Sequence, residues 1–312
     1  MPEPRIATLT LNPAVDFACE AEKVEPTHKL RTTNERLDPG GGGINVARVV
    51  LALGGRALAL FLAGGPTGQV LQDLLRESGV PHRAVPIRER TRISQTVLDR
   101  SSKQEYRFVA EGPRIREAEW RGLLDLLDGV DADWIVGSGS LPPGVPEDFY
   151  ARVAQAAAKR GRHFVLDSSG AALRASLGQG VTLLKPSLSE FQSLVGRELP
   201  DPAEQEQAAV ELVRSGATRL LALTLGGDGA VLATAEGAIR LPALPVEVRG
   251  TVGAGDSFVA GMTLALARGE SPEEAFAWGV ATGAAAVSRV GTAHPERTAV
   301  EALRRRIELP RR

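Results

Sequence analysis

Two glycine-rich stretches hold the residues best suited to chemistry. The first is TVGAGDSF, residues 251–258, where Thr251, Gly253, Ala254 and Gly255 lead into Asp256 and then into a run of small and apolar residues. Glycines let successive backbone N–H groups point outward, and a helix beginning near Gly255–Asp256 adds the positive end of its dipole. The Gly253–Ala254–Gly255 turn therefore suits an anion. A carboxylate beside such a hole can take a hydroxyl proton while the hole holds a transferring phosphoryl group. The residues leave two readings open for Asp256: this general base, or a plain helix N-cap, a position that favours aspartate. The second stretch is DPGGGGINVAR, residues 38–48. Gly40–Gly43 would bring backbone N–H groups close to a ligand with no side chains in the way, and Asn45 offers both donor and acceptor to sugar hydroxyls. The same glycines would equally serve tight helix–sheet packing.

The elements that must position these groups are legible as a repeating pattern. The runs 57–65, 133–140, 163–170, 181–187 and 219–227 are short and nearly continuous in apolar residues, and each ends in Gly, Ser or Pro. That is how a parallel strand covered on both faces reads. Between them lie helical stretches. Residues 67–79 carry Val70, Leu71, Leu74 and Leu75 as one stripe, with Gly79 as a stop. Residues 146–161 begin with Pro and acids and end in Lys, Arg and Gly. Alternating strands and helices predict an α/β layered domain with a mostly parallel sheet. Two segments break the pattern. Residues 91–112 read as two strands around a polar turn at Arg100–Lys103, the second alternating Tyr106, Phe108, Ala110 against Arg107, Val109, Glu111; residues 14–38 also look extended. Together they predict a small β layer over the main sheet.

In open α/β sheets ligands sit at the carboxyl ends of the strands. Those ends here carry Ser138 and Ser140, Asp167 and Ser168, Lys185 and Ser187, and Thr224 with Gly226 and Gly227. Taken together they suit a phosphate-bearing ligand, although each alone is ordinary turn chemistry. Lysine is scarce: Lys23, Lys29, Lys103, Lys159 and Lys185 are the only ones in a chain with 37 basic residues. A lysine in so arginine-biased a chain marks a candidate for a compact point charge.

Composition removes several classes. A formal net charge of −1 gives no electrostatic case for a nucleic-acid or membrane-surface partner. Cys19 is the only cysteine, so no disulfide forms within the chain, which fits a reducing, cytoplasmic compartment. No signal peptide is visible at the N-terminus and no apolar run reaches membrane-spanning length. The four histidines lack metal-ligand spacing. The P-loop motif, the dinucleotide fingerprint and the GxSxG nucleophile elbow are all absent.

The pair GGGGINVAR and TVGAGDSF, in this order and at this separation, resembles the signature pair of the ribokinase-like (PfkB) carbohydrate kinases. TLTLNPAVD, KLR, AGGPTG, YRFV, GSLPPGV, DSSG and the KPS that precedes Glu190 are further similar to the minor bacterial branch of ATP-dependent 6-phosphofructokinases in that family. The resemblance implies a ribokinase-like three-layer α/β fold over residues 1–312, with a discontinuous β lid from about 14–38 and 91–112. It also implies that lids pair between subunits into a homodimer. The implied reaction moves the ATP γ-phosphoryl group, with Mg2+, to the 1-hydroxyl of fructose 6-phosphate. Asp256 would be the base, and Gly253, Ala254 and Gly255 the anion hole. Asp16, Gly41, Gly42 and Asn45 would bind sugar hydroxyls, and Lys29, Arg92, Arg107 and Ser140 would lie near the sugar phosphate and lid. Lys185, Ser187, Thr224, Gly226, Gly229 and Thr251 would line the ATP side, with Glu190 on magnesium through water. Each residue also has an ordinary structural role open to it: surface ion pairing for Arg92 and Arg107, a turn for Asp16, helix-end complementation for Glu190.

Two details qualify the resemblance. The family's Asn-x-x-Glu motif reads Ser187-Leu188-Ser189-Glu190, so an amide is replaced by a shorter hydroxyl. Related 1-phosphofructokinases tend to carry Lys in the glycine run, where this chain has Gly42. The alternatives are tagatose 6-phosphate kinase and 1-phosphofructokinase, and, from another class, a non-catalytic sugar-phosphate or nucleotide sensor.

Overall fold

The computed structural model describes residues 5–289 and 294–309, so the ends of the expected 1–312 domain lie outside it. The chain runs β1 (Arg5–Thr10), β2 (Ala14–Ala21), β3 (Thr32–Gly40), α1 (Gly42–Ala52), β4 (Arg56–Ala63), α2 (Gly65–Glu77), β5 (His82–Pro86), β6 (Arg92–Asp99), β7 (Glu105–Val109) and α3 (Glu117–Asp128). It continues through β8 (Trp134–Ser138), α4 (Phe149–Lys159), β9 (His163–Asp167), α5 (Gly170–Ala175), β10 (Leu183–Leu184), α6 (Leu188–Val195) and α7 (Pro202–Arg214). The last elements are β11 (Leu220–Thr224), β12 (Ala230–Ala233), β13 (Ala238–Leu241), α8 (Ala254–Ala267), α9 (Pro272–Val287) and α10 (Arg297–Arg304).

The apolar runs form one nine-stranded sheet in the order β13-β12-β11-β10-β9-β8-β1-β4-β5. From β11 to β5 every pairing is parallel, while β12 and β13 add an antiparallel edge. Side chains alternate between two cores. Ile6, Val136, Val165 and Leu183 face a layer built from α1, α2, α8, α9 and α10. Ala7, Ile135, Leu166 and Leu184 face α3, α4, α5, α6 and α7. Each such Val, Leu or Ile buried in full contributes about 1.5–3 kcal/mol, which is what holds the strand ends in place. The result is the three-layer arrangement expected from the alternating pattern.

Helix α8 explains the apolar run behind Asp256. Phe258 to Ala265 are all buried, so the helix is covered on every side. It packs against α1 and α9, and a Cβ on Gly261 would stand 2.2 Å from Thr282 Oγ1.

A second, four-stranded sheet has the order β3-β2-β6-β7. It is assembled from the two extended segments, with β2 and β6 parallel and hairpin-like antiparallel pairs outside them. Its own small core is Cys19, Ala21 and Val97, with Phe17, Val24 and Tyr106 against it.

Several expectations are corrected. Val70 sits on the helical stripe but is exposed, because α2 buries only the Leu71 and Leu75 edge. Helix α4 starts at Phe149, since Pro146 to Asp148 form the turn before it. The run 181–187 yields only two strand residues. The alternation through Ala110 and Glu111 outlasts β7, which ends at Val109, and Phe108 is exposed rather than packed with Tyr106.

Candidate active site

The strand order has a switch point. The chain moves outward from β1 to β4 and β5, then returns to place β8 on the other side of β1. The crevice at the carboxyl ends of β1 and β8 is where such sheets bind ligands. Three neighbouring strands deliver polar side chains there. Ser138 follows Val136, Asp167 follows Val165 and Lys185 follows Leu183 by two positions, so all three point to the α8 side of the sheet. Ser138 pairs in register with Asp167 across β8 and β9, and Lys185 N–H donates to the Leu166 carbonyl at 3.0 Å. The order across the sheet is therefore Ser138, Asp167, Lys185.

Helix α8 begins directly over this row. Its N-cap is Gly253, at φ 77°, a left-handed conformation that glycine adopts without strain. Asp256 is the third residue of the helix, so the N-cap alternative is excluded. The N–H groups of Gly253 and Gly255 have no acceptor among the described residues, and that of Ala254 makes only a 3.4 Å contact with the Thr251 carbonyl. Free N–H groups at a helix start form an anion site.

Asp256 keeps part of its surface open to the crevice. Asn45 Nδ2 donates to its Oδ2 at 2.9 Å, and Ser138 Oγ donates to its Oδ1 at 3.2 Å. Burial, together with the nearby Asp167 charge, pushes its carboxyl up to about 7, while Asn45, Lys185 and Ser138 pull the other way. Lys185 is itself buried, 3.1 Å from Asp167, and its Nζ lies within 3.6 Å of where a Gly255 Cβ would be. Burial raises Asp167 against the pull of Lys185. The Lys185 ammonium resists the opposite effect of burial because Asp167, Glu190 and Asp256 hold it charged.

The glycine run connects this cluster to the small sheet. Thr10 Oγ1 accepts the Ile44 N–H at 3.0 Å and fixes the start of α1. A Cβ on Gly42 would stand 2.1 Å from Ser138 Oγ and 3.0 Å from Asp256 Oδ1. At Gly40 the same atom would meet the Asp16 carboxylate at 2.3 Å. Asp16 pairs with Asp38 across β2 and β3. Burial and then Asp38 push the Asp16 carboxyl up to about 6, against Arg92, Arg107 and Arg48. Asp16 and Arg107 line a cavity of about 130 Å³ between the small sheet and Gly250 and Val252, the loop that leads into α8.

Other expected residues fall into place around this axis. Arg92 donates to the carbonyls of Asn12 at 2.8 Å and Ala110 at 2.7 Å, so it is not a surface ion-pair residue. Ser140 accepts from Asn12 Nδ2 at 3.4 Å. Ser187 bridges to Thr224 beside the Lys185 strand end. Glu190 takes the structural role left open for it: its Oε2 accepts from Ser187 N–H and Oγ, both at 2.8 Å, in a reciprocal capping box. Gly226 opens the short helical turn after β11, and a Cβ on Gly229 would stand 2.1 Å from the Leu241 carbonyl oxygen. Thr251 is exposed at the mouth. A Cβ on Gly41 would meet Thr10 and Pro13, and its φ of 120° is one that glycine adopts without strain. Lys29 is exposed, with no hydrogen-bond or ion-pair partner among the described residues. Ser138 and Asp167 were visible as polar strand ends but not as partners of Asp256. Asn12, buried with its Oδ1 unpartnered, gave no signal beyond lying in the TLTLNPAVD stretch.

The fold and the switch-point site define a ribokinase-like α/β protein. The sequence matches the pfkB family carbohydrate kinase description over residues 10–299. It is 45% identical over 301 residues to the ATP-dependent 6-phosphofructokinase isozyme 2 of Mycobacterium tuberculosis, covering 96% of this chain and 88% of that protein. It is 34% identical over 292 residues to a 1-phosphofructokinase of Haloferax volcanii, covering 93% of each. The crystal structure of phosphofructokinase-2 from Escherichia coli in complex with fructose-6-phosphate superposes with a TM-score of 0.91 at 40% identity, covering 97% of this chain and 99% of that one. The chain belongs to the pfkB family of carbohydrate kinases.

Proposed function

We propose that this protein is an ATP-dependent 6-phosphofructokinase, transferring the ATP γ-phosphoryl group to the 1-hydroxyl of fructose 6-phosphate. The observation that carries the reading is Asp256 itself. It is a carboxylate near neutral pKa, oriented by Asn45 and Ser138, at the start of a helix with free N–H groups. In this reading Asp256 takes the proton of the acceptor hydroxyl and the Gly253–Gly255 turn holds the moving phosphoryl group. Positioning and charge neutralisation supply most of the rate. Asp16, Gly42 and Asn45 hold the sugar; Arg92, Arg107 and Ser140 hold its phosphate. Lys185, Thr224, Gly226 and Gly229 mark the nucleotide side. The small sheet acts as a lid that excludes water and so favours transfer to sugar over ATP hydrolysis.

Magnesium suits this site. Among the described residues no three His, Cys, Asp or Glu side chains are placed to hold a metal alone, and magnesium usually combines phosphate oxygens and waters with one or two carboxylates. Glu190 Oε2 is committed to Ser187, leaving Oε1 for a metal-bound water. When bound, the ion would neutralise charge on the triphosphate. We further assign the protein to the cytoplasm, where ATP is supplied. We assign a homodimer through the small sheet, on which Leu37, Ile93, Phe108 and Val109 are exposed.

The test is ADP release with Mg-ATP and four acceptors compared by kcat/KM: fructose 6-phosphate, tagatose 6-phosphate, fructose 1-phosphate and free fructose. Fructose 6-phosphate should lead clearly. A lead for fructose 1-phosphate or tagatose 6-phosphate would overturn the substrate. Ligand binding with no ADP from any acceptor would return the sensor reading.

A further inference from the structure

Most arginines in this protein that sit near carboxylates are paired with them: Arg36 with Asp38, Arg76 with Asp73, Arg121 with Glu117, Arg152 with Asp148, Arg240 with Glu206. One cluster departs from that habit. The loop before β6 reads Arg88-Glu89-Arg90-Thr91-Arg92, and the loop after β7 carries Glu111, Arg114 and Arg116. The two loops are tied together by Glu89 and by Glu119 of α3, but through backbone. Glu89 Oε2 accepts the Arg114 N–H at 2.7 Å. The two oxygens of Glu119 accept the N–H groups of Arg88 and Arg116, each at 2.7 Å. Glu89 and Glu119 are thus engaged by main-chain donors, whereas the exposed Glu111 carboxylate accepts none among the described residues.

The guanidinium groups of Arg88, Arg90, Arg114 and Arg116 have no hydrogen-bond or ion-pair partner among the described residues, and all four residues are exposed. Arg88 and Arg90 line an open groove of about 560 Å³, together with Glu89, Arg92, Ala110, Glu111, Gly112 and Pro113. Arg92 is shared: it lines the groove, and its guanidinium donates inward to the Asn12 and Ala110 carbonyls. The groove therefore adjoins Asn12, whose carbonyl accepts from Arg92 and whose Nδ2 donates to the Glu111 carbonyl at 2.8 Å and to Ser140 Oγ at 3.4 Å. Five arginines face Glu89, Glu111 and Glu119 on a chain whose overall formal charge is −1. A local positive field on a near-neutral protein raises the concentration of anions at that place and little elsewhere.

We propose that Arg88, Arg90, Arg114 and Arg116 form a capture rim for the phosphate-bearing end of the acceptor, delivering dianionic sugar phosphates to Arg92 and disfavouring uncharged sugars. The rim makes no contact in the transition state. It acts on kcat/KM for the charged acceptor and leaves kcat alone. The proposal rests on the sugar-phosphate kinase reading above.

The experiment is the ionic-strength dependence of kcat/KM in the wild type, in R88Q/R90Q and in R114Q, with fructose 6-phosphate as the charged acceptor and fructose as the uncharged one. Folding is checked by circular dichroism. At about 10 mM salt the Debye length is about 30 Å, and at 1 M about 3 Å. The wild type should lose about tenfold in kcat/KM for fructose 6-phosphate across that range, within the span of steering effects. R88Q/R90Q should start several-fold below the wild type at low salt, converge with it at high salt and show a flatter slope. R114Q should show a smaller change in the same direction. In all variants kcat, KM for Mg-ATP at saturating acceptor and turnover of fructose should match the wild type. An unchanged slope in R88Q/R90Q, or an equal loss at all salt concentrations, overturns the rim. Failure of the wild type to turn over fructose 6-phosphate would refute the kinase reading instead, so the two failures are separable.

Discussion

Replacing Ser138 by alanine tests the link between strand β8 and the Asp256 carboxylate proposed as the base. The Ser138 hydroxyl is buried and donates to Asp256 Oδ1 at 3.2 Å. No bulk is added, so the backbone of β8 and the close approach of Gly42 are undisturbed. A hydrogen bond to a charged group contributes about 1.5–3 kcal/mol, and this one is long for a hydroxyl donor, so its loss costs about 1.5 kcal/mol or less. One pKa unit corresponds to about 1.4 kcal/mol. Both forms lose the donor, but the bond to the ionised form is the stronger one, so the Asp256 pKa moves up from about 7 by up to about one unit. The proposed base is active when ionised. The acidic limb of kcat/KM for fructose 6-phosphate should therefore shift upward by up to about one pH unit. Well below both limbs the variant should be up to about tenfold slower, and near pH 9 it should approach the wild type. The assay is a coupled ADP-release profile from pH 5.5 to about 9.5. A limb that stays in place, or a loss of the same size at every pH, would refute the reasoning.

Asp256→Asn keeps both hydrogen-bonding neighbours but removes a carboxylate whose folded pKa is raised from 3.8 to about 7. A raised carboxyl stabilises the fold below its unfolded pKa and loses that contribution as pH climbs through the folded value. The variant should thus be inactive yet melt higher than the wild type at pH 8 and equally at pH 4; a lower Tm at pH 8 would show that ionised Asp256 is not strained. Gly42→Ala places a Cβ 2.1 Å from Ser138 Oγ. It should cut kcat about a hundredfold while KM for Mg-ATP changes little, and near-normal kcat would mean that the crevice adapts. Lys185→Met leaves Asp167 unpaired in the interior and should cost about 3–5 kcal/mol in urea unfolding at pH 8. Adding Asp167→Asn should recover most of that stability but not nucleotide affinity. Arg107→Ala should raise KM for the sugar phosphate far more than for Mg-ATP; equal effects would make Arg107 a structural residue of the small sheet.

How much of this was legible beforehand depends on distance along the chain. The Gly253–Gly255 turn and Asp256 lie within one helical turn, so Thr251–Phe258 displays the turn and the helix start as a local pattern, with the helix beginning at Ala254. The same holds for the hairpin around Arg100–Lys103 and for the glycine run entering α1, because turns, caps and periodicity are settled by near neighbours. Patterns that depend on what covers a face were less secure. Val70 follows the helical period yet faces solvent, and Phe108 alternates with Tyr106 yet stands uncovered. Periodicity says which residues share a face but not what lies opposite it.

Only the tertiary structure decided which polar strand ends meet Asp256. Ser138, Asp167 and Lys185 are visible in the sequence as residue types at the ends of apolar runs. That they stand side by side follows from the order β8, β9, β10 and from register, since a slip of one residue would turn each to the other face of the sheet. The reason is physical. Local sequence sets backbone conformation over a few residues, whereas strand order is chosen by which apolar faces can be buried together. That choice belongs to the whole chain and to no segment of it.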